Sequence, residues 1–89
     1  MRAIVTVIGK DTVGILAKVS CICADVQANI IDVSQTVMQD LFAMIMLVDL
    51  SGMTCEFELL SDRLSGLGDQ MGLSIRAMHE DIFNSMHRI

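Results

Sequence analysis

The 89-residue chain contains no proline, no tryptophan and no tyrosine, and only three phenylalanines. Without proline or a stretch rich in serine and glycine, the sequence predicts neither a linker nor a disordered tail. The hydrophobic fraction is nonetheless 53%, so the core must be built from Ile, Val, Leu and Met. We expect one domain over residues 1–89, because the chain is long enough for a single core with little margin.

Long apolar runs and an excess of positive charge are also missing. No apolar run approaches the roughly 18 residues of a membrane-spanning helix, and Arg2 leads directly into a β-like run instead of a signal peptide. A net charge of −5 argues against nucleic acid, whose binding depends on neutralising phosphates. Cys21, Cys23 and Cys55 lack the spacing of a disulfide framework, which indicates a reducing compartment. We therefore expect a cytoplasmic domain that binds neither nucleic acid nor membrane.

Hydrophobic periodicity predicts the element order βαββαβ followed by a terminal helix. The predicted strands are 2–9, 29–39, 41–50 and 73–79, and the predicted helices are 13–26, 54–71 and 81–89. This order is the α+β, ferredoxin-like plan over residues 2–80, with a four-stranded antiparallel sheet and both main helices on one face. The two central strands are apolar on both faces, so the face of the sheet opposite the two main helices must also be covered. We expect the terminal helix to cover part of it and a second chain the rest, which predicts a homodimer or a higher oligomer.

The stretch from Ile8 to Leu16 joins the first strand to the first helix and holds the strongest candidate site in the sequence. Free backbone N–H groups and the positive end of the dipole at a helix N-terminus favour an anion. Asp11 lies beside that position and offers a group for a cation. A free amino acid carries both charges, so the turn is predicted to bind a small zwitterion. A role of Asp11 or Thr12 as helix cap alone is the competing interpretation.

The turn Lys10-Asp11-Thr12-Val13-Gly14-Ile15-Leu16, set in this element order, resembles that of the ACT domains. The segment Ala28-Asn29-Ile30-Ile31 matches the start of that family's second strand, and the ending from Ile82 to Ile89 is similar to that of small stand-alone ACT proteins of bacteria and archaea. The resemblance implies a regulatory module that binds an amino acid between two chains. The ligand-binding residues that it implies are Asp11, Thr12, Val13, Gly14, Ile15 and Leu16 of one chain and Asn29, Ile30 and Ile31 of its neighbour.

Each implied residue has a physical role in such a site. Gly14 permits close approach of the backbone, the amides of 13–16 hold a carboxylate, and Asp11 takes the ammonium group. Asn29 donates or accepts a hydrogen bond, although a role as a turn residue alone is also open. Val13 stands where many members of the family have proline, which makes the turn less rigid. The aliphatic side chains expected around the ligand favour a small or apolar amino acid.

No residue set in the sequence supports catalysis, a metal or a cofactor. Cys21 and Cys23 lie two apart on a predicted helix and point to different sides, whereas a metal site needs converging thiolates. No Ser/His/Asp or Cys/His set is indicated. We therefore expect a non-catalytic sensor subunit without a cofactor. A ligand-free subunit that docks on a metabolic enzyme or regulator is the alternative.

Overall fold

The computed structural model describes residues 1–86 of the chain and confirms the predicted order of elements. A βαββαβ unit is followed by a third helix, α3. The elements are β1 Arg2–Lys10, α1 Ile15–Asp25, β2 Asn29–Met38, β3 Leu41–Asp49, α2 Phe57–Met71, β4 Leu73–His79 and α3 Glu80–Met86. The predicted terminal helix 81–89 begins one residue earlier than expected, and its last three positions lie outside the described residues. No helix among residues 1–86 is long and apolar enough to span a bilayer.

The four strands form one antiparallel sheet in the order β2-β3-β1-β4. The two apolar strands, β1 and β3, are central, and the two alternating strands, β2 and β4, are at the edges, as the sequence predicts. Along the central pair, Arg2 is opposite Asp49 at one end and Lys10 is opposite Leu41 at the other. The ferredoxin-like fold class is confirmed.

The core fills the space between one face of the sheet and the helices α1 and α2. Alternate residues of β1 and β3 point into it, since side chains along a strand alternate between faces. With no tryptophan or tyrosine, methionines on β3 fill much of the volume. The largest core side chains with less than 2% exposure are Met44, Met46, Leu60, Leu64, Val5, Val7, Val19, Val48 and Cys23. Cys23 packs in this core, and burial raises the pKa of its thiol.

The start of α2 differs from the prediction. The sequence predicts a helix from residue 54, but the helix begins at Phe57. The Thr54 N–H donates to the Val26 carbonyl at 3.1 Å, which holds the segment before α2 against the end of α1, and Glu56 is in an extended conformation. Tertiary hydrogen bonding therefore overrides the local helical spacing. The predicted end at Gly72 is confirmed, with a φ of +72°.

The second strand also departs from the simple alternation that the sequence indicates. Ile30 is opposite Val48 and Asp32 is opposite Leu47, so Ile31 is the extra residue of a β-bulge. Alternation predicts Ile31 and Val33 on one face. In the structure Ile30, with its cross-strand partner Val48, takes the core face in place of Ile31.

The other face of the sheet, which we call the open face, has no cover from α1 or α2. Ile4 belongs to this face yet is only 8% exposed. The helix α3 contacts β1 and β4, and its Glu80 pairs with Arg2 of the same face at 2.8 Å. We infer that α3 covers the part of the open face around Ile4, as the sequence predicts for the terminal helix.

Candidate functional site

The candidate site is the turn between β1 and α1, at the end of the sheet where β1 stops. The Asp11 N–H donates to the Asp40 carbonyl at 2.7 Å. Asp40 belongs to the two-residue connection between β2 and β3, in which Gln39 has a φ of +58°. The turn is therefore fixed against the β2–β3 hairpin. The sequence correctly predicts the connection of this hairpin at residues 39–40.

Gly14 begins α1, and no side chain among residues 1–86 caps the helix. Gly14 is the N-cap residue with a φ of +88°, and neither Asp11 nor Thr12 makes a capping hydrogen bond. The capping interpretation of these two residues is therefore wrong. Glycine is required by this left-handed backbone and not by close packing, since an added Cβ would meet only Lys18 Cε at 3.8 Å.

The first turn of α1 presents backbone donors without acceptors inside the helix. The first helical hydrogen bond runs from the Lys18 N–H to the Gly14 carbonyl at 3.0 Å. By helix geometry, the N–H groups of 15–17 have no such partner. Together with the dipole, these donors make the start of α1 a place where a carboxylate is stabilised.

The side chains of the turn differ in exposure. Asp11, Thr12 and Val13 are exposed, Val13 to 93%, so all three are free to contact a ligand. Ile15 is 3% exposed and packs in the core, which leaves only its backbone for binding. Leu16 is 41% exposed and can contact an aliphatic group.

Lys18 is a candidate that the sequence reasoning missed. The sequence pattern places Lys18 on the solvent-exposed side of α1. In the structure its Cε atom lies 3.8 Å from where a Cβ of Gly14 would stand, so its side chain extends toward the start of α1. A lysine four residues after the N-cap was the available signal, because residues i and i+4 share one side of a helix. Lys18 adds a positive charge where a carboxylate is expected.

The second group of predicted residues lies at the opposite end of the sheet. Asn29 is opposite Asp49, which is opposite Arg2 at the start of β1. The turn follows Lys10 at the end of β1. Eight steps along the strand, at about 3.4 Å each, separate the two groups by about 27 Å. One chain therefore does not bring Asp11 and Asn29 together.

The end of the sheet that carries Asn29 has its own fixed charge. Asp49 accepts hydrogen bonds from the Ser51 N–H at 2.9 Å and from the Ser51 hydroxyl at 2.7 Å. These bonds, the backbone one first, hold the pKa of the Asp49 carboxyl below its ordinary value. Of the two residues predicted beside Asn29, Ile30 is half-buried against the core and Ile31 is exposed on the bulge.

Comparison with known proteins identifies the family. A family model of the ACT domain matches residues 2–78. The chain belongs to the ACT domain family. A UPF0237 protein of Clostridium acetobutylicum is 52% identical over 89 residues, which is 100% of both chains. A UPF0237 protein of Methanocaldococcus jannaschii is 49% identical over 88 residues, 99% of this chain and 98% of the relative. An ACT domain protein from Streptococcus pneumoniae superposes with a TM-score of 0.79 at 37% identity, over 93% of each chain.

ACT domains are in general regulatory, ligand-binding modules, and the family therefore points to regulation and not to catalysis. In the part of this ACT domain that the structure describes, no three His, Cys, Asp or Glu side chains are grouped to hold a metal ion. A groove of about 710 Å³ runs between α2 and the outer edge of β4. Its lining is mixed: Ser61, Ser65 and Arg76 are polar, whereas Leu73, Ile75 and Met78 are apolar. Sequence patterning gave no sign of it.

Proposed function

We propose that this ACT domain binds a free amino acid at the start of α1, and that it acts as a non-catalytic regulatory subunit in the cytoplasm. The observation that carries the proposal is the uncapped first turn of α1. Three helical N–H groups have no acceptor within the helix, no side chain of the described residues caps them, and the Lys18 side chain extends toward the N-cap residue. An anion is favoured there by hydrogen bonding, by the dipole and by a nearby cation.

The same turn offers a group for the other charge of an amino acid. The Asp11 side chain is exposed, and its position is fixed because its N–H is bonded to the Asp40 carbonyl. A carboxylate there is available to an ammonium group, while the helix start takes the carboxylate of the ligand. Val13 and Leu16, both exposed, supply apolar contact. This set favours a small or aliphatic amino acid.

A second copy of the chain completes the site in this proposal. The strand β2 is at the edge of the sheet, and two β2 strands laid antiparallel side by side would place the start of one beside the end of the other. The end of β2 leads to Asp40, which holds the turn. The partner's Asn29, Ile30 and Ile31 would then approach the turn that their own chain keeps about 27 Å away.

The experiment is a thermal-shift screen against the twenty amino acids at millimolar concentration. A ligand at about 100 times its dissociation constant adds about 2.7 kcal/mol to the free energy of unfolding, which is at least several degrees in Tm for a domain of this size. We expect a shift for a small or aliphatic amino acid. The shift should be lost in Asp11→Asn and reduced in Lys18→Gln and Asn29→Ala.

Asp62→Asn is the matched control, because it removes an equally exposed carboxylate from α2 and should leave the shift unchanged. A flat screen with protein free of copurified ligand would contradict amino-acid binding. That result would favour the alternative, a ligand-free subunit that docks on a metabolic enzyme or regulator.

A further inference from the structure

The open face of the sheet carries large apolar side chains that nothing within residues 1–86 covers. We define the apolar patch as Ile8, Met38, Leu41 and Ile45, which are 52%, 64%, 43% and 48% exposed. The strand register places them on the face opposite α1 and α2, since Ile8 is opposite Ala43 and Met38 is opposite Leu41. An exposed apolar patch of a few hundred Å² is often an interaction site.

The helix α3 lies on the same face but at another corner. It contacts β1 and β4, and the pair of Arg2 with Glu80 ties its start to the end of the sheet where β1 begins. Its own outer side is also apolar: Ile82 is 52% and Met86 is 65% exposed. These two residues are four apart, so they share one side of the helix. One corner of the open face therefore projects an apolar helix, and the remainder presents an apolar surface.

These two features are complementary between two copies of the chain. Two copies can pack with their open faces together, related by a twofold axis between the sheets. The corner that carries α3 in one copy then lies against the apolar patch of the other. The open face is about 19 Å wide, from four strands about 4.8 Å apart, and a helix with its side chains is about 10 Å wide. The face therefore has room for its own α3 and for one more helix beside it.

The size of the surface fits a stable contact. Six large side chains, each about half exposed, present on the order of 500 Å² of apolar area per copy. With the smaller residues between them, this approaches the ~800 Å² per partner of a standard interface. We propose that the open face is a self-association surface, on which α3 of each copy packs through Ile82 and Met86 against the apolar patch of its partner. This contact uses the open face and not the outer edge of β2, although Met38 belongs to β2 and Leu41 is opposite Lys10, next to the turn at Asp11.

The test is the mass of the protein in solution, measured by sedimentation at about 100 µM. Ile45→Glu should abolish one association step and halve the mass, with the dissociation constant of that step raised by about 30-fold or more. Leu59→Glu is the control, because Leu59 is also 48% exposed but lies on α2, away from the open face. Circular dichroism confirms that both variants fold. If Ile45→Glu does not fold, Ile82→Glu on α3 gives the same test.

The reciprocal contact is tested by mixing two variants. Ile45→Lys alone and Ile82→Glu alone should each weaken self-association, whereas their mixture should form a heterodimer in which one lysine meets one glutamate. A monomeric wild-type protein, or an Ile45→Glu variant with the mass of Leu59→Glu, overturns the proposal. A mixture that stays dissociated overturns the packing of α3 on the patch. The proposed function fails separately: Ile45→Glu should keep any thermal shift with amino acids, since Asp11 and Lys18 are unchanged.

Discussion

Two glycines of α2, two positions apart, provide a sharp test of how the helix packs on the sheet. A Cβ added at Gly68 would stand 2.6 Å from the Leu73 carbonyl oxygen and 3.2 Å from Ile75 Cγ1. A Cβ added at Gly66 would have nothing within 4 Å. We therefore expect alanine at these two positions to change the free energy of unfolding in opposite directions.

The magnitudes follow from two competing effects. Alanine favours a helix interior over glycine by about 1 kcal/mol, and at Gly66 nothing opposes this gain. At Gly68 the obstructing atom is a main-chain oxygen of β4 that cannot rotate away, so α2 must move off the strand. Overpacking of this kind costs about 1–3 kcal/mol, and a backbone contact belongs at the upper end. We expect Gly66→Ala to stabilise by ~0.5–1 kcal/mol and Gly68→Ala to destabilise by ~1–2 kcal/mol after the helical gain is deducted.

Urea and thermal denaturation of both variants measure the difference. The substitution is chemically the same at both positions, so the change in unfolded-chain entropy cancels between them. A gap of about 2 kcal/mol corresponds to a Tm difference of about 8–16 °C for a domain of this size. If Gly68→Ala were as stable as Gly66→Ala, the contact between Gly68 and β4 would not set the spacing of helix and sheet, and the reasoning would be refuted.

Substitutions at Gly14, Met46 and Asp49 test other parts of the structure. In urea melts, Gly14→Ala should lower the free energy of unfolding by about 1–2 kcal/mol because of the left-handed backbone, and Gly14→Asn should lower it by less. Equal losses in the two variants would show that the backbone conformation does not cause the loss. Met46→Ala should cost about 2–5 kcal/mol through a core cavity, against less than about 1 kcal/mol for Leu59→Ala, at a side chain that is 48% exposed on α2; similar losses would place Met46 outside the core. Asp49→Asn should make the free energy of unfolding less dependent on pH in the acid range. Hydrogen bonds from Ser51 lower the pKa of the Asp49 carboxyl. The stability that Asp49 contributes is therefore present above its ordinary pKa near 4 and is lost as the pH falls through the lowered value. Melting curves of Asp49→Asn and wild type should converge below pH 4, and a constant difference down to pH 2 would refute the assignment.

The architecture could be predicted because it depends on periodicity. The strands β1 and β3 are apolar on both faces, and alternation marks β2 and β4 as edges, so the strand order follows from the sequence pattern. The failures have tertiary causes. The N-terminus of α2 is shifted by the hydrogen bond from Thr54 to Val26, and a bulge at Ile31 leaves no trace in a pattern of alternating residues.

The candidate site was predictable only in part. The turn before α1 is visible as an apolar strand followed by an acid and a glycine, but the sequence assigns the capping role to Asp11 or Thr12, whereas Gly14 has it. The sequence could not distinguish Lys18 from an ordinary solvated lysine, because its role in binding depends on the direction of its side chain. The distance between Asp11 and Asn29 also requires the strand register, which periodicity does not supply.

That distance has a consequence for how a binding response would depend on protein abundance. If the chain holds half of a binding site at each end of its sheet, the ligand concentration needed for half-saturation depends on the concentration of the chain. Occupancy would rise with the concentration of the chain as well as with that of the amino acid, and the ligand would in turn draw chains together, since coupling between two binding equilibria is reciprocal. Such a module would respond to a lower concentration of the amino acid when its own expression is higher. The cell could then adjust its sensitivity to the amino acid by changing how much of the protein it makes.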